Sequence, residues 1–186
     1  MTGAFPVLKT EGFILRELTD EDLVDISSIW GSSKVTERMS SGPLAYEDSV
    51  QMLYVLKSLW DNDAGIRWGV EMDGRLIGTC GFNNINKGLR RSELGYELDY
   101  EFWGRGYMRR ALRPALDYGF NIMRFERVET FLNLDNDRSA GLLLKLGFQL
   151  EGTLRDYART PKGLIDQNCF SLLKRDWQDL QQSWVK

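Results

Sequence analysis

The stretch Leu98-Asp99-Tyr100-Glu101-Phe102-Trp103-Gly104-Arg105-Gly106-Tyr107-Met108-Arg109-Arg110 decides how this 186-residue chain is read. It is entered from Ser92 to Asp99, where Leu94, Tyr96 and Leu98 share one face and Glu93, Gly95, Glu97 and Asp99 the other, the period of a half-buried strand. It leaves into a helix expected to run to about Met123 with a kink at Pro114, so strand end, glycine turn and helix start follow in order. Unpaired amides at a helix N-terminus, flanked by Arg105, Arg109 and Arg110, form an anion site, and glycine lets a phosphate approach the backbone. The ligand this implies is a diphosphate. Dipole attraction alone offers about 0.3 to 2 kcal/mol, so several amides and arginines must act together. Gly-x-Gly is weak evidence by itself, and an ordinary glycine turn with solvated arginines stays open as the alternative. A dinucleotide fingerprint is excluded, because Arg109 stands where its third glycine belongs and hairpins stand where a βαβ unit should. A Walker loop is excluded for want of Gly-Lys-Ser/Thr.

Outward from this segment the elements alternate. Phe13 to Leu18 reads as a first strand, and Thr19-Asp20-Glu21-Asp22 as a capped acidic helix start before Leu23, Ile26, Ile29 and Trp30. A second helix after Pro43 is expected to place Val50, Leu53, Tyr54, Leu56 and Leu59 on its apolar side. Trp68 to Met72 and Arg75 to Phe82 flank Asp73-Gly74, a type I′ hairpin turn pair. Downstream, Arg127 to Leu132 is a strand, Asp137 to Leu146 a helix capped by Gly147, Phe148 to Tyr157 and Leu164 to Leu173 two further strands, and the tail from Asp176 helical. Hairpins interleaved with helices predict a mixed α/β fold, with a central and mostly antiparallel sheet flanked by helices. No repeat or linker suggests a boundary, so residues 1–186 are expected to form a single domain.

Composition removes several classes of function. The chain is 42% apolar and 27% charged, which is ordinary for a globular domain and wrong for a disordered or disulfide-scaffold one. With 24 basic against 27 acidic residues, a net charge of −3, it has no surplus to drive nucleic-acid binding. It contains no His, which excludes histidine triads, imidazole bases and histidine metal sites, and Cys80 and Cys169 are too far apart for a metal motif. No metal is therefore expected. The absence of a membrane-length apolar run or an apolar signal core in Met1 to Lys9 makes a cytoplasmic protein the expectation, with no membrane partner.

The chain resembles the GNAT acetyltransferase superfamily, specifically its RimJ/RimL-like branch. The resemblance rests on Phe13-Ile14-Leu15-Arg16, Ser92-Glu93-Leu94-Gly95-Tyr96, Trp103-Gly104-Arg105-Gly106-Tyr107, Asn136-Asp137-Arg138-Ser139 and Lys145-Leu146-Gly147-Phe148, followed by Glu151 to Asp156 and Asp166 to Leu173. It implies a GNAT-like acyl-CoA acyltransferase fold that carries acetyl from acetyl-coenzyme A to a primary amine. It also implies that Arg105, Gly106, Tyr107, Met108 and Arg109 hold the pyrophosphate, and that backbone groups of Leu98, Asp99 and Tyr100 hold the pantetheine and acetyl carbonyl. Met108 departs from the Gly or Ala usual there. Asn136 and Ser139 are implied to line the cofactor channel, and the Ser139 hydroxyl to assist the departing thiolate, because the tyrosine common in relatives is Leu143 here. Capping of the helix start is a sufficient alternative reading of Asn136 and Ser139.

The candidate general bases are Glu93 and Glu97, chosen partly by elimination. Ala158 and Phe131 stand where some relatives carry a carboxylate. A solvated charged strand face is the alternative for both. The aromatics Trp30, Tyr46, Trp60, Trp68, Phe82, Trp103 and Tyr157 could line an acceptor cleft, although most are expected in the core. The expected acceptor is an α-amine of a peptide N-terminus or amino-acid-like metabolite, with a possible homodimer. The alternatives are a polyamine or antibiotic acetyltransferase and a non-catalytic acyl-CoA sensor.

Overall fold

Asp73 and Gly74 both have positive φ, 51° and 78°, as a type I′ turn requires, and they join β3 (Ile66–Met72) to β4 (Arg75–Asn86). This hairpin centres the computed structural model, which describes residues 3–37, 39 and 42–184. Before it come β1 (Leu8–Thr10), β2 (Phe13–Glu17), a 3-10 turn, α1 (Leu23–Gly31), the short α2 (Ser33–Thr36) and α3 (Tyr46–Asp61). After it come β5 (Arg91–Leu98), α4 (Tyr107–Asn121), β6 (Arg127–Asn133), α5 (Asp137–Lys145), β7 (Gln149–Thr160), β8 (Gly163–Leu173) and α6 (Lys174–Trp184).

Among the described residues eight strands join one sheet in the order β1-β2-β3-β4-β5-β6-β8-β7, and only β5 with β6 is parallel. The expected mixed, mostly antiparallel architecture is what the chain adopts. The parallel pairing spans only Arg91 to Glu93 against Arg127 to Glu129. Beyond it Leu94 to Leu98 pair with β4 alone, and Thr130 to Asn133 with β8 alone. The sheet therefore forks between β5 and β6, and the fork positions the site.

One core gathers α4 and α5 against the sheet through Trp68, Phe82, Leu112, Leu116, Leu143 and Phe148; a second gathers α1 and α3 through Leu18, Ile26, Ile29, Trp30, Leu53 and Leu76. The start of α1 is fixed by charge. Arg16 grips both oxygens of the buried Asp22 at 2.8 and 2.7 Å, while the Thr19 amide donates to the same carboxylate at 2.7 Å.

One expectation needs correction, and one element was unforeseen. The inward face of α3 carries Ser49, Leu53 and Trp60, whereas Val50 and Tyr54 are exposed, because the 3.6-residue period aligns 49, 53 and 60 and turns 50 and 54 aside. Strand β1, too short to announce itself, pairs with β2 and had no sequence signal. Of the seven aromatics, Trp30, Trp60, Trp68 and Phe82 are core, Tyr46 and Tyr157 are exposed, and Trp103 faces the cavity described next. No helix among the described residues is long and apolar enough to cross a membrane.

Candidate active site

The fork opens into a cavity of about 930 Å3, within the range of small-molecule sites. Its walls are the end of β5 (Tyr96, Glu97, Leu98), the glycine turn into α4, and α5 from Asn136 to Lys145, with Lys34 to Glu37 and Met39 closing one side. Gly104 and Gly106 both have φ +76°, and a Cβ on either would meet open space within 4 Å. Glycine is thus required by backbone conformation and not by crowding inside the protein. Gly106 precedes α4, whose first internal bond is Arg110 amide to Gly106 carbonyl at 3.1 Å. The amides of Tyr107, Met108 and Arg109 lie ahead of that bond and are available to an anion. Lys34, Arg109, Arg138 and Lys145 also line the cavity, so its cationic groups suit a polyphosphate. An elongated ligand bearing phosphates fits this donor set.

The sequence-predicted residues divide into groups. Gly106, Tyr107, Met108, Arg109, Leu98, Asn136, Ser139 and Glu97 line the cavity together. Arg105 is exposed outside the lining, and Arg110 is turned away to stack 5.2 Å over Phe13 and to donate to the Glu11 carbonyl. Asp99 and Tyr100 are also outside the lining. The Asp99 amide donates to the Ile77 carbonyl at 2.8 Å, and its carboxylate accepts from Arg75 at 2.9 Å, so an amide assigned to the ligand is spent on the sheet. The Tyr100 ring carries Lys34 at 4.3 Å. Asn136 caps α5 by accepting from the Ser139 amide at 3.3 Å, so the capping reading holds without displacing either residue from the cavity.

The two candidate bases sit differently from each other. Glu97 is 7% exposed and saturated: Trp30 Nε1 donates to it at 3.1 Å, as do the Thr79 hydroxyl and the Arg67 guanidinium. Arg67 also donates to Thr79 at 2.7 Å, completing a closed buried network. Glu93 is outside the lining and accepts from Asn84 Nδ2 at 2.7 Å. Neither carboxylate is presented free to the cavity. Glu37 and Asp137 do line it, but both are exposed to solvent.

Sequence reasoning missed Tyr96, Arg138 and Lys145, whereas Trp103, one of the aromatics named for a cleft, does line the cavity. Strand alternation places Tyr96 on the apolar face with Leu94 and Leu98 and gives no sign of the cavity. Burial pushes its phenol up to about 12, partly offset by the neighbouring Ser139 hydroxyl, so it stays protonated at physiological pH. Trp103 donates its indole N–H to the Leu98 carbonyl at 2.8 Å and lies under Arg138 at 4.5 Å, joining the turn to α5. The i, i+7 spacing of Arg138 and Lys145 on α5 was the one available signal for the cationic wall.

Residues 13–149 match the Acetyltransferase (GNAT) domain family. The chain belongs to that family. It is an acetyl-CoA N-acetyltransferase, and the GNAT-like fold expected from its motifs is the fold it has. The uncharacterized N-acetyltransferase YoaA of Bacillus subtilis is 36% identical over 177 residues, covering 91% of this chain and 98% of that one. The [Ribosomal protein uS5]-alanine N-acetyltransferase of Escherichia coli is 31% identical over 103 residues, covering 55% of this chain and 53% of the other. The spermidine N-acetyltransferase of Vibrio cholerae, solved with CoA and spermine, superposes with a TM-score of 0.78 at 25% identity, covering 91% of this GNAT chain and 99% of its own.

Proposed function

We propose that this acetyltransferase acts on an α-amine, on a peptide N-terminus or an amino-acid-like metabolite. The observation that carries this reading is the saturated carboxylate of Glu97: among the described lining, no carboxylate is both buried and free. A general base needs a lone pair open to the amine, and the one buried carboxylate of the lining accepts from three donors. An α-amine titrates near 7.7 to 8.0 and a lysine side chain near 10.4, so deprotonating the lysine costs about 3.4 kcal/mol more. That is a factor of a few hundred, and a site with so little base favours the α-amine. The uS5-alanine relative points the same way.

The thioester supplies an activated acetyl group, so the protein's task is largely alignment. The α4 amides and Arg109, with Arg138 and Lys145 opposite, hold the phosphates. With the Asp99 amide spent on the sheet, the Leu98 amide at the end of β5 faces the acetyl carbonyl and stabilises the charge that develops on its oxygen. As the amine nitrogen bonds the carbonyl carbon and the carbon–sulfur bond breaks, Ser139 donates to the leaving sulfur. The amine's proton goes to water or to an exposed carboxylate such as Glu37.

A polyamine acceptor is the second reading, favoured by the Vibrio cholerae relative bound to spermine. We also assign the protein to the cytoplasm, where its two buried cysteines remain free thiols, and to a single domain over residues 1–186. A homodimer is supported by edge strand β7, whose Leu150, Leu154 and Tyr157 are exposed. Thiol release is to be compared on a free-N-terminus peptide, an N-blocked lysine peptide and spermidine. Highest kcat/KM on the first is expected; preference for the lysine peptide overturns the α-amine, and activity on spermidine alone selects the second reading.

A further inference from the structure

Tyr96 presents its ring to the cavity wall, yet its hydroxyl is buried and, as the side chains stand, makes no hydrogen bond. A buried polar group without a partner costs stability, so such a group asks for an explanation beside Thr79, Ser92, Glu97 and Ser171, buried polar side chains that are each hydrogen-bonded. Having no solvent-accessible surface, the hydroxyl cannot itself touch a ligand. The polar side chain bordering it is Ser139, which is half-buried, lines the cavity and is held by the Asn136 cap at the first turn of α5.

A serine hydroxyl has one hydrogen and a free rotor. Left alone, Ser139 can spend that hydrogen on a backbone carbonyl of its own helix, as serines do. If Tyr96 donates to Ser139 Oγ, one lone pair of the serine is filled from behind, and its hydrogen is directed forward into the cavity. A phenol is suited to this task because burial keeps it a donor throughout the working pH range. Phenylalanine would preserve the packing and lose the donation.

We propose that Tyr96 is a positioning residue that orients the Ser139 hydroxyl toward the leaving sulfur. The proposal rests on the reading of Ser139 given above. No proton needs to leave Tyr96. Ser139 donates a hydrogen bond to the sulfur as the carbon–sulfur bond breaks, the electron pair stays on sulfur, and the thiolate takes its final proton from water.

The test uses the full chain as Tyr96→Phe, Ser139→Ala and the double variant, followed by thiol release, melting temperature and the titration of bound coenzyme A thiol by its thiolate absorbance. Tyr96→Phe is expected to melt at or above the parent, since it removes an unpartnered hydroxyl, and to lower kcat about ten-fold with the KM for acetyl-coenzyme A unchanged. In the Ser139→Ala background the same change should matter less than about two-fold, the signature of one residue acting through another. Both single variants should raise the pH at which bound thiol ionises. Full kcat in Tyr96→Phe, additive losses in the double variant, or a change in KM alone overturns the inference. Parent-like kcat in Ser139→Ala overturns the Ser139 reading and this inference together, whereas a slowed Ser139→Ala beside a parent-like Tyr96→Phe overturns only this inference.

Discussion

Replacing Glu97 by Gln separates a structural carboxylate from a catalytic one. The change is nearly isosteric and keeps an oxygen for Trp30 and Thr79, but it removes the charge that faces Arg67. Both partners of this pair are deeply buried, with side chains 9% and 5% exposed, so water cannot rescue the guanidinium. Breaking such a pair from one side costs about 3 to 5 kcal/mol, because an uncompensated charge stays inside. In a domain of this size each kcal/mol moves the melting temperature by about 2 to 4 °C, and the expected fall is roughly 6 to 20 °C. The control is Glu97→Gln combined with Arg67→Met, which removes both charges and should recover at least half of the loss. Calorimetry reads the stability, and turnover well below the melting transition reads the chemistry. Because the amine proton is not assigned to Glu97, kcat per folded molecule should fall less than about ten-fold. A melting temperature within 2 °C of the parent together with a hundred-fold loss of kcat would refute the reasoning and restore Glu97 as the base.

Further outcomes follow from the same geometry. Gly106→Val forces a β-branched residue to φ +76° at the mouth of α4, and coenzyme A affinity measured by calorimetry should fall at least ten-fold while the fold survives; unchanged affinity sinks the phosphate assignment. Ser139→Ala should slow turnover by less than about a hundred-fold, since a thiol titrating near 8.5 is already a fair leaving group, and complete loss of activity would contradict that. Arg138→Ala removes a cavity cation and its stack on Trp103, so the KM for acetyl-coenzyme A should rise several-fold with kcat little changed. Glu151 accepts from Arg127 at two oxygens and from Ser171, which hold its carboxyl at about 2 against an ordinary 4.5. Its folded value is depressed, so its contribution is full above about 4.5 and is lost as pH falls toward 2; acid unfolding of Glu151→Gln should lack that part of the pH dependence.

What the sequence disclosed and what it withheld divide along contact distance. The Asp73-Gly74 turn, the Gly106 cap, the Gly147 stop and the Asn136 cap each depend on the backbone of a few adjacent residues, and each was readable. The fork between β5 and β6 depends on where a parallel pairing stops after three residues, which no local pattern encodes. The same division explains Glu97. Alternation placed it correctly on a strand face with Glu93, but its partners Arg67 and Trp30 lie 30 and 67 residues away in the chain. One trace of that network was nevertheless present, in Gly95. A glycine inside a strand marks a close approach, and here a Cβ at Gly95 would stand 2.5 Å from the Arg67 guanidinium. Gly95 is empty so that Arg67 can cross to Glu97. A glycine between two glutamates on one strand face is therefore evidence of a crossing cation, and evidence against reading both glutamates as free bases. By the same logic Glu93, which accepts from the side chain of Asn84 at a β4 irregularity, makes no ion pair among the described residues. Its distance from the cavity, and not a competing charge, is what removes it from the chemistry.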